Sequence, residues 1–246
     1  MRLLPLLMLA FFGCHKDASV AAARADAAAA PNAAQTAEGV RSVVWQLDWD
    51  KAGITLDPAG WRTLSDTGYD VRVTTGTLTT WRLGLQPCPK TTWSLIPSAY
   101  AHHIEPPDPT SVLPHLVENL AAPVATRLPV RQVPPDRYCR GFWLVSPPPP
   151  ALAGEGPRVS LALHATWTRG DDHGELALDT WIPDSKLQTV PGLQEATGDV
   201  ELKVERHLKT LFDGIDLANA PTPALAWTVL HRLMETTDWD AHALQP

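Results

Sequence analysis

Cysteines and basic residues are both scarce in this chain. Its 246 residues include three cysteines, and 20 lysines and arginines stand against 27 aspartates and glutamates, so the formal net charge is −7. An acidic surface repels the phosphates of nucleic acids, so we expect neither DNA nor RNA as a partner. The three cysteines form no CxxC pair, so the sequence contains neither a thiol-based zinc motif nor a CxxC redox motif.

Short catalytic motifs are missing as well. The chain contains no GxSxG nucleophile elbow, no HExxH zinc pair and no glycine-rich loop for phosphates. His103-Ile-Glu105 has the form of the HxE element of zinc deaminases, but the Pro-Cys-x-x-Cys element that completes their zinc site is absent. We therefore expect a protein that is not an enzyme, with an enzyme of dispersed, motif-free active site as a remaining alternative.

No apolar stretch reaches the length of about 20 residues that a membrane-spanning helix needs. The apolar run Leu3–Phe12 follows Arg2 and is interrupted by Pro5. A basic residue, a short apolar run and a small residue before the cleavage point are the successive parts of an export signal. We therefore predict a signal peptide over residues 1–13.

The segment Phe11-Phe12-Gly13-Cys14 resembles the lipobox of bacterial lipoproteins, in which a small residue stands directly before the cysteine. The resemblance implies cleavage before Cys14 and attachment of lipid to it, so that the bilayer is a partner and the chain is lipid-anchored in the cell envelope. His15, rather than an aspartate, follows Cys14, which by the same resemblance implies the outer membrane, facing the periplasm or the exterior. An ordinary signal peptide followed by an incidental cysteine is the alternative.

Residues 14–39 are dominated by alanine, with scattered polar residues and few large apolar ones. Such a segment cannot bury enough surface to offset its ordering entropy, so we predict a flexible tether that begins at the lipidated cysteine. A flexible chain of this length has an end-to-end distance of about 25 Å, which would hold the following domain clear of the lipid headgroups. Alanine is also a strong helix former, so a partly helical tether is the alternative.

The number of cysteines agrees with lipidation of Cys14. An exported chain with an odd number of cysteines leaves one thiol unpaired or uses it otherwise. If Cys14 carries lipid, Cys88 and Cys139 remain as a pair in an oxidising compartment, where a disulfide forms and persists. We predict this disulfide, and two buried free thiols are the alternative.

Residues 40–246 have the length and composition of a single β-rich domain. The chain contains 24 prolines and 10 tryptophans, which favour strands and turns over a helical bundle. Apolar and polar residues alternate over 43–50 and 200–204, and the aromatic stretch 138–146 suits a core strand, so each is predicted to be a strand. We expect a mainly β, antiparallel sandwich-like fold with one or two accessory helices.

Two hairpins are predicted from glycine positions between alternating stretches. Gly76 separates 69–73 from 79–85, and the glycine-containing segment 169–174 separates 159–167 from 175–182. Glycine in a short polar connection is the strongest local signal for a tight turn between antiparallel strands. Both segments are therefore expected to reverse the chain.

Two helices are predicted in the last forty residues of the chain. A short one is expected over His207–Phe212, before Asp213-Gly214. A longer C-terminal helix is expected near 223–235, because Thr222 can cap it and Pro223 suits its first position. Its broad apolar side should pack on a sheet.

Histidines and carboxylates concentrate in one proline-rich loop. It contains His102, His103, Glu105 and Asp108, and imidazole with carboxylate ligands binds copper or zinc without any thiol. Long loops in compact domains are usually functional or disordered, so we predict that a ligand site, if the domain has one, lies between residues 93 and 118. The alternative is a solvent-exposed loop that holds no metal or other cofactor.

Ten tryptophans exceed what one core usually holds. Exposed indoles stack on sugars or fill pockets on partner proteins. Strand alternation places most of the tryptophans in the core, which leaves Trp61, Trp93 and Trp239 as candidates for exposed loop positions.

Two classes of function follow from these patterns. The first is a membrane-anchored lipoprotein with a non-enzymatic binding or structural role in the cell envelope, where a protein or glycan partner docks on the domain. The alternative is a metal-binding envelope lipoprotein that uses the loop 100–118 to carry or buffer copper or zinc.

The lipid anchor can be tested by replacing the thiol of Cys14 with a hydroxyl group. The Cys14→Ser variant should no longer incorporate labelled fatty acid and should leave the membrane fraction, because the acylated N-terminus is the hydrophobic anchor predicted for the chain. Metabolic labelling and fractionation in high salt measure both effects. His15→Ser is the matched control and should stay with the membranes. A Cys14→Ser protein that still sediments with membranes contradicts the anchor.

Overall fold

Two β-sheets packed around one apolar core build the domain. The computed structural model describes residues 39–89, 109–148, 158–196, 198–220 and 222–244. Within these ranges the chain is mainly β, as predicted, and apolar side chains of both sheets share one core. In chain order the elements are β1 (Arg41–Asp50), β2 (Thr55–Asp57), β3 (Gly60–Leu64), β4 (Asp70–Pro87), β5 (Ser111–Val112), β6 (Leu116–Asn119), β7 (Thr126–Arg127), β8 (Arg131–Val133), β9 (Tyr138–Val145), β10 (Leu161–Arg169), β11 (Asp172–Thr180), β12 (Asp184–Thr189), β13 (Val200–His207), α1 (Thr222–Glu235) and β14 (Asp238–Ala243).

The smaller sheet has the order β14-β13-β1, and the short strands β7 and β8 pair with the other edge of β1. β1 and β13 run parallel, with Val43 opposite Val200 and Trp49 opposite Arg206. The remaining pairs in this sheet are antiparallel. The predicted alternation in β1 is present, because Val43, Trp45 and the other odd-numbered apolar residues to Trp49 are buried.

The larger sheet is organised by β4, which is one continuous strand instead of the predicted hairpin. Its first half pairs with β3 and β10, and its second half pairs with β5, β6 and β9. Gly76 does not turn the chain. A Cβ atom there would lie 3.0 Å from the side chain of Leu120 and 3.1 Å from the carbonyl oxygen of Ala162, so glycine permits close packing against its neighbours.

The second predicted hairpin is confirmed by the pairing of β10 with β11. Their register places Leu163 opposite Leu178 and Arg169 opposite Asp172. Gly170 occupies the turn with a φ of +63°, a conformation that favours glycine. Leu161, Leu163, Ala165 and Trp167 face the core, as the alternation predicted.

The C-terminal helix is confirmed, whereas the predicted helix over His207–Phe212 is wrong. α1 covers Thr222–Glu235 and buries one side that includes Leu225, Val229 and Leu233. His207 is instead the last residue of β13. The segment that follows forms turns, in which the amide of Leu211 donates to the carbonyl oxygen of Leu208 and the amide of Asp213 to that of Thr210.

A disulfide joins Cys88 and Cys139, as predicted, with Cα atoms 4.8 Å apart. It ties the segment after β4 to the start of β9, and the amide of Cys88 also donates to the carbonyl oxygen of Arg137 at 2.8 Å. The two cysteines are 51 residues apart in the sequence. On the chain-entropy model, closing a loop of about 50 residues stabilises the folded state by roughly 4 kcal/mol.

An ion pair between the two sheets lies inside the core. Nη1 of Arg206, on β13, lies 2.5 Å from Oε2 of Glu118, on β6, and both side chains are buried. The same carboxylate oxygen accepts from the hydroxyl of Thr80 at 3.1 Å, and that hydroxyl oxygen accepts from the indole N–H of Trp143 at 3.3 Å. The Arg206 guanidinium also lies over the ring of Trp49, 3.7 Å from its centroid.

Breaking this ion pair should strongly destabilise the domain. Glu118→Ala leaves the Arg206 guanidinium buried without its counter-ion, a change that lowers the free energy of unfolding by about 3–5 kcal/mol. Glu201→Ala is the matched control, since Glu201 pairs with Arg127 at 2.8 Å on the surface, and its effect should stay within about 1 kcal/mol. Urea denaturation with the disulfide intact measures both. Equal effects of the two substitutions would show that the buried pair has no special role.

Candidate functional site

Two tryptophans are exposed, one on α1 and one between β11 and β12, and neither is among the predicted candidates. Trp181 is 70 % exposed and Trp227 is 39 % exposed. Trp61 and Trp239, the predicted loop candidates, are core residues that are 0 % and 3 % exposed. Both belong to short strands that non-local packing covers: the indole N–H of Trp61 donates to the carbonyl oxygen of Leu120 at 2.7 Å. Trp93, the third candidate, lies outside the described residues.

Polar contacts hold α1, which carries Trp227, against β12, the strand that follows Trp181 in the chain. Nδ1 of His231, on α1, lies 2.9 Å from Oδ2 of Asp184, the first residue of β12. Two residues further along β12, the ammonium group of Lys186 donates to the carbonyl oxygens of Glu235 at 2.8 Å and Thr237 at 2.7 Å. A lysine that caps the last carbonyls of a helix also opposes the negative end of the helix dipole.

Each indole is close in sequence to one partner of the Asp184–His231 contact, Trp181 shortly before Asp184 and Trp227 one helical turn before His231. The ring of Trp227 stacks on that of His231, with centroids 4.8 Å apart and planes at 9°. On the sheet side, Trp181-Ile182-Pro183 connects β11 to β12 directly before Asp184, and Ile182 is 42 % exposed. We call the set Trp181, Ile182, Trp227 and His231 the aromatic surface.

The rim of the aromatic surface is acidic. Oε1 of Glu235 lies 3.5 Å from Nε2 of His231, and Glu235 and Asp179 are both exposed. The ammonium group of Lys186 is directed toward the end of α1, where burial lowers its pKa and the charges of Asp238 and Glu235 oppose that shift. An apolar, aromatic centre with a charged rim has the chemistry of a protein-docking patch.

The alternation of inward and outward residues along β11 indicates that one of the two indoles is exposed. Leu176, Leu178 and Thr180 are buried, so the inward positions of β11 are even-numbered and the next odd position, Trp181, faces outward. Pro183 then ends the strand pattern. Trp227 gave no such signal, because the apolar side of α1 is broad enough in sequence to include it.

The four predicted metal ligands are not among the described residues. His102, His103, Glu105 and Asp108 lie outside those ranges, as does Cys14, so the metal site and the lipid anchor stay predictions. In the part of the chain that the structure describes, no three histidine, cysteine or acidic side chains converge as metal ligands.

Two residues in the last part of the predicted metal loop 100–118 have other contacts. His115 stacks on Trp81 with centroids 4.1 Å apart. Glu118 is the carboxylate of the buried ion pair. Their side chains are therefore engaged in packing and in the core.

One histidine, at the end of β13, links three neighbouring strands of the smaller sheet. Nδ1 of His207 lies 2.9 Å from Oδ2 of Asp50, and its Nε2 lies 3.0 Å from Oδ2 of Asp238. Burial alone would lower the pKa of His207, but the hydrogen bonds and charges of the two carboxylates raise it above its ordinary value. The imidazolium form, which donates from both nitrogens, is the form that satisfies both carboxylates.

No family model, curated protein or solved structure matches this chain. Among the described residues, no helix has the length and apolar character needed to cross a membrane. The function therefore has to be argued from the chemistry of the domain's own surface.

His207 should make the stability of the domain depend on pH. A histidine whose pKa is raised by folding contributes stability that is fully present below the unfolded value of about 6.5 and is lost as pH rises through the folded value. Urea denaturation between about pH 5.5 and pH 9 should show this loss, and His207→Gln should remove it. His242→Gln is the control, since His242 is an exposed histidine on the neighbouring strand. An unchanged pH profile in His207→Gln would contradict this role.

Proposed function

We propose that this chain is an exported lipoprotein whose β-sandwich domain docks a protein of the cell envelope through the aromatic surface. The observation that carries the proposal is the 70 % exposure of Trp181, which stands shortly before Asp184, the residue that contacts the helix with the second exposed indole. Tryptophan is the residue most enriched among those that dominate protein–protein binding energy. The lipid on Cys14 would keep the domain at the membrane, where its partner lies.

The contacts that hold α1 on β12 favour a binding role for the aromatic surface over chance exposure. The Asp184–His231 and Lys186 contacts fix α1 on β12, so neither the helix nor the connecting segment has to be ordered when a partner arrives. A surface that is already ordered loses little conformational entropy on binding. Binding residues held on such a scaffold therefore give more affinity for the same buried area.

A protein suits this surface better than a glycan does. One face of the Trp227 ring is already covered by His231, and the aliphatic residues Ile182 and Pro183 lie beside Trp181. Stacking on sugars needs open ring faces, whereas aliphatic contact area suits an apolar patch on another protein. The acidic rim formed by Asp179 and Glu235 favours a partner whose apolar patch is bordered by lysine or arginine.

Site-specific cross-linking tests this docking surface. A photoreactive amino acid at Ile182 keeps both indoles and should give one discrete protein adduct in cells that make the full-length lipoprotein. Trp181→Ala and Trp227→Ala in this background should each reduce the adduct strongly, because truncating a dominant contact costs about 2 kcal/mol or more of binding free energy. Mass spectrometry identifies the partner, whose contact region should carry basic residues.

Leu64 supplies the matched controls. It is 59 % exposed on β3, so Leu64→Ala removes a comparable exposed apolar side chain, and a cross-linker at position 64 reports on a different surface. Leu64→Ala should leave the Ile182 adduct unchanged. An adduct that forms equally from position 64, that persists in both tryptophan variants, or that consists of polysaccharide would refute the proposed protein-docking role.

A further inference from the structure

Arg41, the first residue of β1, is a buried cation that forms no direct ion pair with any described residue. It is 6 % exposed, and its Nε and Nη2 atoms are fully buried without a hydrogen-bond partner. None of the ion pairs among the described residues includes it. By contrast, the Arg206 guanidinium in the same sheet has a carboxylate at 2.5 Å.

A buried charge without a counter-ion is unfavourable, so its presence needs a physical reason. Burial lowers the pKa of Arg41, and the nearby groups of Tyr138 and Asp199 oppose this shift. A guanidinium nevertheless stays protonated in proteins and keeps all of its N–H donors. Arg41 is thus a fixed, charged donor whose acceptor is not supplied by the described part of the chain.

Arg41 lines a cleft of about 490 Å³ between the start of β1 and two loops. One loop is Pro135–Arg137 and the other contributes Gln194, Glu195 and Asp199. Gly39 forms part of one wall and packs closely on Pro135, since a Cβ atom at position 39 would lie 2.8 Å from Cγ of that proline. Its φ of +105° is also a conformation that favours glycine. Clefts that bind small molecules have volumes of about 300–1,000 Å³.

By elimination, Nη1 is the guanidinium nitrogen of Arg41 that can meet a ligand in this cleft, because the other two are fully buried. Nη1 carries two N–H groups, and a carboxylate is the acceptor that an arginine binds most strongly. The exposed side chain of Arg137 adds a second positive charge to the cleft.

The cleft also holds acidic side chains, which restrict the ligand further. Asp136 and Glu195 are exposed in its lining, while Asp199 accepts a hydrogen bond from the amide of Ser42 at 2.7 Å. These carboxylates repel a simple anion, and Arg41 with Arg137 repels a simple cation. A ligand that carries both charges is attracted by both sets.

We infer that this cleft binds a small zwitterion, an amino acid or a short free peptide, with its carboxylate on Arg41 and its ammonium group near Asp136 and Glu195. The ligand carboxylate then supplies the acceptor that Arg41 lacks. The inference does not depend on the lipid anchor or on the aromatic surface, which involve other residues.

Titration of the full-length protein with alanyl-alanine, in the L,L and D,D forms, tests this inference by calorimetry. At least one form should bind. N-acetylation removes the ammonium charge and C-terminal amidation removes the carboxylate, and each change should weaken binding by about tenfold or more, the usual effect of losing a charged hydrogen bond. Equal binding of the free, acetylated and amidated peptides, or no binding of either free form, would overturn the inference.

Variants separate the ligand-binding role of Arg41 from a structural one. Arg41→Met should abolish binding while Tm stays the same or rises, because an apolar side chain of similar length replaces a buried charge that has no direct ion-pair partner. Arg131→Met, at an exposed arginine outside the cleft, should leave binding unchanged. Retained binding in Arg41→Met would refute the site.

A second variant keeps the test decisive if Arg41→Met fails to fold. Asp136→Asn combined with Glu195→Gln changes two exposed side chains and should fold normally. It should weaken binding of the free dipeptide and leave the weaker binding of the N-acetylated dipeptide unchanged, because the latter has no ammonium group. Trp181→Ala should not affect either titration. Unchanged binding of the free dipeptide in the double variant would place the ammonium group elsewhere and refute the assignment.

Discussion

The buried Arg206–Glu118 pair is the interaction on which the arrangement of the two sheets depends. Its charges come from β13 in one sheet and β6 in the other, so the sheets cannot shift relative to each other without separating them. Through Thr80 the pair is bonded to Trp143 on β9, and Trp143 lies opposite Lys186 on β12. Lys186 in turn caps α1. A continuous set of contacts therefore runs from the centre of the core to the helix that carries Trp227.

Elements with strong local signals could be predicted from sequence, and elements defined by distant contacts could not. Alternation identified β1, and glycine at the turn identified the hairpin of β10 and β11. The parallel pairing of β1 with β13 joins residues such as Val43 and Val200, which are far apart in the chain, so no local pattern reports it. The predicted turn inside β4 is wrong because a glycine can occupy a turn or can allow close packing within a sheet. Gly76 does the second, against Leu120.

The two buried arginines of the smaller sheet show why candidate sites were harder to predict than strands. Arg206 and Arg41 both lie in strands of that sheet, and composition gives no reason to treat them differently. Glu118 reaches Arg206 from the other sheet, whereas Arg41 lines a cleft and forms no direct ion pair with the described acidic residues there. Whether a charge is neutralised depends on which loops the fold brings to it, and that information is non-local. The histidine-rich loop is predicted as a site because its candidate ligands are close together in sequence, whereas the residues of a dispersed site are not.

The exposure of Trp181 and Trp227 is not a by-product of packing the core. α1 buries Leu225, Val229 and Leu233 against the sheets, and β11 buries its even-numbered residues, so the core is complete without either indole. Apolar surface left in water forgoes about 25 cal/mol for each Å² that burial would remove from solvent. Because Asp184 and Lys186 hold the helix and strand in place, the indoles cannot recover this energy by folding inward. It would become available if another molecule covered them, which is the physical basis of the proposed docking role.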